Sequence, residues 1–229
     1  MNTHNQRTHW TTSTLLFAAV AAYLAGPLTA PARLQDLYEL DTISEKYAAV
    51  AAEIAAYRWA NIAAAAAAVL AAVGLLRFTH TSRRDPNTGR RAAMVWSFAA
   101  GGWVVLCLLR VAFVAGRASD VATGDANHNS FADAVLEGDG VFILLSLLAA
   151  AALVWLAVDW RRSQRFGWPT ILLIGLGGVT TGLLVRSDPL SITFIPPFPF
   201  FLALLPLAIN AQRGRRDQTS APVTAAAGG

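Results

Sequence analysis

Apolar and polar stretches alternate along the chain at the length scale of membrane-spanning helices. A helix needs roughly 20 mostly apolar residues to cross a hydrocarbon core of about 30 Å, and six runs meet or approach that length. We predict spans at residues 12–28, 59–78, 92–115, 140–158, 168–185 and 190–209. The pattern therefore predicts an all-α, polytopic integral membrane helix bundle that forms a single transmembrane domain over residues 1–211, followed by a disordered cytoplasmic tail at 212–229.

Composition supports the membrane interpretation. Of the 229 residues, 55% are hydrophobic and 14% are charged, whereas soluble domains carry about 25% charged residues. A soluble protein this apolar would expose large aggregation-prone patches. The net charge of +4 does not indicate nucleic-acid binding, because the basic residues lie at the ends of apolar runs and not on one face of a soluble module. The richness in Ala, Leu and Arg resembles small bacterial membrane proteins from GC-rich genomes.

The charges between the spans are strongly asymmetric. If the N-terminus is cytoplasmic, the inner segments hold 12 basic and three acidic residues, and the outer segments hold six basic and 11 acidic residues. Basic residues near span ends keep loops on the cytoplasmic side, so we predict a multi-pass protein of the cell (inner) membrane with both termini in the cytoplasm. An alternative is a signal peptide ending near Ala30-Pro31-Ala32, whose cleavage would leave five spans.

The segment that follows the first span predicts a helix which starts near Ile43. Thr42 and Glu45 have the spacing of a capping box, and neither Gly nor Pro follows before Gly74. If the helix continued to Phe78 it would be about 54 Å long, which exceeds the hydrocarbon core. Its first turns would then project from the membrane or lie along the outer surface.

The second outer loop contains candidate metal ligands. Asp125, Asn127 and Asn129 occupy the first three ligand positions of a calcium-binding loop. The match then fails, because Ser130 stands where the loop requires Gly and Leu136 stands where it requires Glu. The simpler interpretation is a solvated turn before a short helix. We expect no cofactor.

The sixth span carries the strongest functional signal. Pro196, Pro197 and Pro199 prevent an unbroken helix, because each proline lacks an N–H donor and clashes with the preceding turn. Irregular backbone at membrane depth is tolerated when it lines a cavity or is buried in protein, and broken helices form substrate sites in transporters. We therefore predict a broken-helix cavity here, with a kinked helix sealed by its neighbours as the alternative.

Small residues indicate close helix packing in the fifth span. Gly178 and Gly182 form a GxxxG pair, and Gly175 precedes them by one turn. Small residues allow helix backbones to approach closely. The pairing is expected within the monomer, and contact with a second copy or another membrane subunit is the alternative. At the outer ends of the third and fifth spans, Arg110 and Arg186 are expected to extend to the lipid headgroups. Pairing with an acid at the same level, such as Asp139 or Asp188, is the alternative.

Three function classes remain open. No ionisable side chain lies near the middle of a predicted span, which argues against proton relays and ion pathways. A non-catalytic membrane subunit or accessory protein is the leading hypothesis. A small transporter or channel for a neutral or lipid-like solute is the first alternative. A membrane enzyme with outer acidic residues, such as Asp120 or Asp133, is the second, and enzymatic activity is not favoured.

Overall fold

The computed structural model describes residues 3–35, 37, 40–80, 89–122, 130–137, 139–162, 167–187, 201–209 and 211. Within these ranges the regular structure is entirely helical, which confirms the predicted all-α class. The helices are α1 (Thr3–Ala25), α2 (Ala32–Gln35), α3 (Ile43–Ala52), α4 (Ile54–His80), α5 (Arg90–Leu109), α6 (Ala115–Ala122), α7 (Ser130–Leu136), α8 (Asp139–Arg162), α9 (Trp168–Ser187) and α10 (residues 201–209). A 3₁₀ turn occupies Pro27–Thr29, and a π-helical turn at Arg110–Val114 joins α5 to α6.

Three helical stretches are long and apolar enough to cross a membrane. They are Ile54–His80, Arg90–Val121 and Ile143–Arg162, and they overlap the predicted spans 59–78, 92–115 and 140–158. Shorter apolar stretches lie in α1 and α9, at Thr11–Ala25 and Thr170–Thr180. The protein is thus a helical membrane protein, while the total of six crossings stays a prediction.

The long helices form a sequential bundle in which α1 packs on α4, α4 on α5, α5 on α8 and α8 on α9. Glycines set the closest approaches. A Cβ at Gly74 would lie 2.8 Å from Leu16 Cδ2, and a Cβ at Gly102 would lie 2.5 Å from Leu145 Cδ2. Both distances are shorter than van der Waals contact, so a larger residue at either position would require the leucine side chain to move.

The last described helix, α10, runs antiparallel to α1. The Ser13 hydroxyl donates a hydrogen bond to the carbonyl oxygen of Ala208 at 3.1 Å. Toward the other end of α1, the Tyr23 ring stacks on Phe201 with a centroid distance of 4.4 Å. These contacts place the chain that follows the prolines against the first helix.

A second, smaller hydrophobic cluster lies at one end of the bundle. We call the short segments at this end (the 3₁₀ turn, α2, α3, the π-helical turn, α6 and α7) the cap, and that end of the bundle the cap end. The cluster includes Leu34, Leu37, Tyr47, Val50, Leu106, Val114, Ala118, Val135 and Leu136. The opposite end, where Arg77, Arg90, Arg91, Arg161 and Arg162 lie, is the arginine end.

The capping box forms as expected, and the helix that it starts is interrupted. The Thr42 hydroxyl accepts from the Glu45 N–H at 3.3 Å, and the Glu45 carboxylate accepts from the Thr42 N–H at 3.1 Å. The predicted continuation to Phe78 is not present, because α3 ends at Ala52 and Glu53 leaves the helical conformation (φ −126°, ψ 35°). This break lets α3 pack on α6 as part of the cap.

Candidate functional site

A buried arginine lies where the bundle meets the cap. Arg110 starts the π-helical turn and is 3% exposed. Because α5 has 20 residues, Arg110 lies about 30 Å along the helix from Arg90, close to one hydrocarbon thickness. The expectation that this side chain extends to the headgroups was wrong, because the protein covers it. Single π-helical turns within α-helices are frequent at functional sites.

Other polar side chains are buried at the same end of the bundle. Tyr23 is 1% exposed, and its hydroxyl finds no hydrogen-bond partner in the described part of the chain. Cys107, one turn before Arg110 on α5, is partly buried. The fully buried Asn61 donates from Nδ2 to the carbonyl oxygen of Tyr57 at 2.9 Å, while its Oδ1 has no partner among the described residues.

We call Tyr23, Asn61, Cys107 and Arg110, which lie toward the same end of the bundle, the junction cluster. Of these four residues the sequence analysis named Arg110 alone, because an apolar run does not show which of its side chains neighbouring helices cover. A buried polar atom without a partner costs on the order of 1–3 kcal/mol, and such atoms are rare in folded proteins. The Tyr23 hydroxyl and Asn61 Oδ1 are two such atoms toward the cap end of the bundle.

The cap contains its own polar contact. The Tyr47 hydroxyl donates a hydrogen bond to Asp133 Oδ1 at 2.8 Å and thereby joins α3 to α7. Burial, and secondly this hydrogen bond, raise the pKa of the Tyr47 hydroxyl well above its usual value, while the charge of nearby Arg117 partly opposes the shift. Asp133, proposed from sequence as an outer acid, therefore serves as the acceptor of a structural hydrogen bond.

The arginine end is filled by tightly packed side chains. Trp160 is fully buried and contacts Phe78 edge-on, with a centroid distance of 5.2 Å. The Asp159 carboxylate accepts from the Gly89 N–H at 3.3 Å. Gly89 has φ +75°, and a Cβ there would lie 2.7 Å from Leu156 Cδ1, so both conformation and space require glycine.

The candidate residues of the sequence analysis lie partly within the described structure. The metal candidates and the broken-helix candidates lie outside the described residues, and they are Asp125, Asn127, Asn129, Pro196, Pro197 and Pro199. Among the residues that are described, no group of three His, Cys, Asp or Glu side chains could hold a metal ion.

The three glycines proposed for helix packing all lie in α9. A Cβ at Gly178 would lie 3.0 Å from the carbonyl oxygen of Ala150 in α8. At Gly175 a Cβ would meet nothing within 4 Å. For Gly182 the structure gives only its position in the helix. The expected packing within the monomer and the alternative contact with a second copy or another subunit both stay predictions.

The chemistry of the junction cluster suits hydrogen bonding and charge pairing. Its members supply a guanidinium, a phenol, an amide and a thiol. None of them is a carboxylate or an imidazole, the groups that most often perform general acid–base catalysis. Comparison of the chain with protein-family models, with curated proteins and with solved structures found no match.

Proposed function

We propose that this chain is a non-catalytic subunit or accessory protein of the cell (inner) membrane. It crosses the membrane six times, with the arginine end in the cytoplasm and the cap outside. The observation that carries the proposal is the cap, which forms a hydrophobic cluster with the ends of α4 and α5. A folded unit at one end of the bundle offers a surface to a partner.

The cap presents an aromatic pair on its surface. Phe131 at the start of α7 contacts Phe113 of the π-helical turn edge-on, with a centroid distance of 5.0 Å, and both are exposed. Exposed aromatic side chains are enriched in protein interfaces. Phe113 follows Arg110 by three residues near the end of α5, and the exposed pair supports the proposed contact with another membrane subunit.

Co-purification after mild detergent extraction tests this function. We expect the tagged chain to retain a specific partner, and Phe131→Ser to lose it. Phe98→Ser is the matched control, because Phe98 is 72% exposed on α5, outside the cap. A lone monomer, or equal loss of the partner in both variants, would contradict the proposal.

The orientation is tested by cysteine labelling. The chain has one cysteine, so Cys107→Ala provides a background for single-cysteine variants. We expect a membrane-impermeant maleimide to label Ser44→Cys, in the cap, on intact cells. We expect it to label His80→Cys, at the arginine end, only after permeabilisation. The opposite pattern would reverse the orientation.

A small transporter for a neutral or lipid-like solute is the second candidate function. Tyr23 favours this candidate. Its ring stacks on Phe201, which follows the proline-rich segment, and its buried hydroxyl has no hydrogen-bond partner among the described residues. Under this hypothesis Pro196→Ala and Pro197→Ala abolish uptake or efflux while the protein still inserts into the membrane. Unchanged transport in both variants would remove its basis.

A further inference from the structure

An apolar groove of about 310 Å³ runs between α8 and α9. This volume lies within the range of ligand-binding pockets. The lining residues are Val154, Ala157, Val158, Arg161, Trp168, Ile171, Leu172, Gly175, Leu176 and Val179. All but one of them are uncharged, and the exception, Arg161, lies at the arginine end.

The length of the groove along α9 is close to the thickness of the hydrocarbon layer of one leaflet. Along α9 it extends from Trp168 to Val179, which is about 16 Å at 1.5 Å per residue. Half of a hydrocarbon core of about 30 Å is about 15 Å. The groove is therefore long enough for an acyl chain that spans one leaflet.

Two glycines, one turn apart, shape the groove. Gly178 packs against α8, where a Cβ would lie 3.0 Å from the carbonyl oxygen of Ala150. Gly175 lies one turn closer to the arginine end, and a Cβ there would meet nothing within 4 Å. The helices thus touch at Gly178 and leave space at Gly175, where an extended apolar chain can fit.

Positive charge is concentrated at the mouth of the groove. The Arg161 guanidinium lies 4.3 Å from the centroid of the Trp168 ring, a cation–π contact that holds the charge at the rim. Arg162 is the next residue and is also exposed. The N-terminus of α9 begins at Trp168 and adds a partial positive charge. The nearby acid, Asp159, accepts a hydrogen bond from Gly89 instead.

We propose that this groove binds an anionic phospholipid from the leaflet at the arginine end. One acyl chain lies along the groove past Gly175, and the headgroup phosphate pairs with Arg161 at the rim. Basic pockets between transmembrane helices bind anionic headgroups in this manner. The site is independent of the accessory function proposed above and of the junction cluster.

Native mass spectrometry of the purified protein tests the proposal. Phosphatidylglycerol and phosphatidylcholine with identical acyl chains are titrated separately, and we expect tighter binding of phosphatidylglycerol. Arg161→Gln should weaken phosphatidylglycerol binding about fivefold, the effect of one arginine at a membrane surface. Gly175→Leu should weaken the binding of both lipids, because its side chain fills the groove.

Two matched variants serve as controls. Gly101→Leu adds the same side chain at a glycine of α5 that also has no atom within 4 Å of a Cβ. Arg77→Gln removes an exposed arginine at the same end of the bundle but outside the groove. Both should bind the two lipids as the parent does. Equal binding of the two lipids by the parent, or equal effects of a variant and its control, would overturn the proposal. If Gly175→Leu fails to fold, the comparison of Arg161→Gln with Arg77→Gln still tests the proposal.

Discussion

The hydrogen bond between Tyr47 and Asp133 provides a direct test of how the cap is held together. Tyr47→Phe removes one oxygen atom and leaves the ring, which is 2% exposed and packed in the cap cluster. The lost bond is 2.8 Å long and joins α3 to α7 across 86 residues of sequence. The substitution therefore isolates one tertiary contact from the packing around it.

The free energy lost in Tyr47→Phe follows from the type of hydrogen bond that is removed. Hydrogen bonds to charged groups contribute about 1.5–3 kcal/mol. Asp133 is partly exposed, so water replaces the lost donor, and we expect the lower end of that range, about 1.5 kcal/mol. Because about 1.4 kcal/mol corresponds to a factor of ten in an equilibrium constant, local opening of the cap should become roughly tenfold more frequent.

Amide hydrogen exchange measured by mass spectrometry reports this opening segment by segment. Protection should fall about tenfold in α3 and α7 and stay unchanged in α4, α5 and α8. Tyr23→Phe is the matched control: it removes a hydroxyl that has no hydrogen-bond partner among the described residues, so it should be neutral or stabilising. Unchanged protection in Tyr47→Phe, or an equal loss in Tyr23→Phe, would refute the reasoning.

Three further outcomes are expected. Gly178→Leu forces side-chain atoms against the backbone of Ala150 and should destabilise the protein by about 1–3 kcal/mol in thermal unfolding in detergent. Thr42→Ala removes half of the capping box with Glu45 and should cost about 1 kcal/mol, seen as faster exchange at the start of α3. The pKa of Tyr47 is raised in the folded state. Its contribution to the free energy of unfolding is therefore fully present below a pH of about 10 and is lost as the pH rises above that value. Circular dichroism at pH 8 and 11 should show this decline in the parent and a smaller one in Tyr47→Phe.

The sequence predicted those features that depend on local composition. Runs of about 20 apolar residues identified the three long helices, and the spacing of Thr42 and Glu45 identified the start of α3. It did not predict the burial of Arg110 or Tyr23. An apolar run indicates that a helix enters the membrane, but it does not show which neighbour covers each face at the end of the helix.

The backbone departs from a regular α-helix at Glu53 and at the π-helical turn, and both departures have the same explanation. Glu53 follows Ala51 and Ala52, which favour helix, yet the helix ends there, and the π-helical turn at Arg110 likewise contains neither Gly nor Pro. Both are departures that tertiary packing imposes on sequences with helical propensity.

Their consequence is the cap. In an unbroken helix, Tyr47 would stand about 10 Å beyond Ile54 along the axis of α4, directed away from the bundle. With the break, α3 packs on α6, and α7 packs on the π-helical turn that precedes α6, so Tyr47 reaches Asp133. Each irregularity is stabilised by contacts that the other makes possible. The cap is therefore expected to open as one cooperative unit, and loss of the Tyr47–Asp133 bond should be detected in both α3 and α7 and not in one alone.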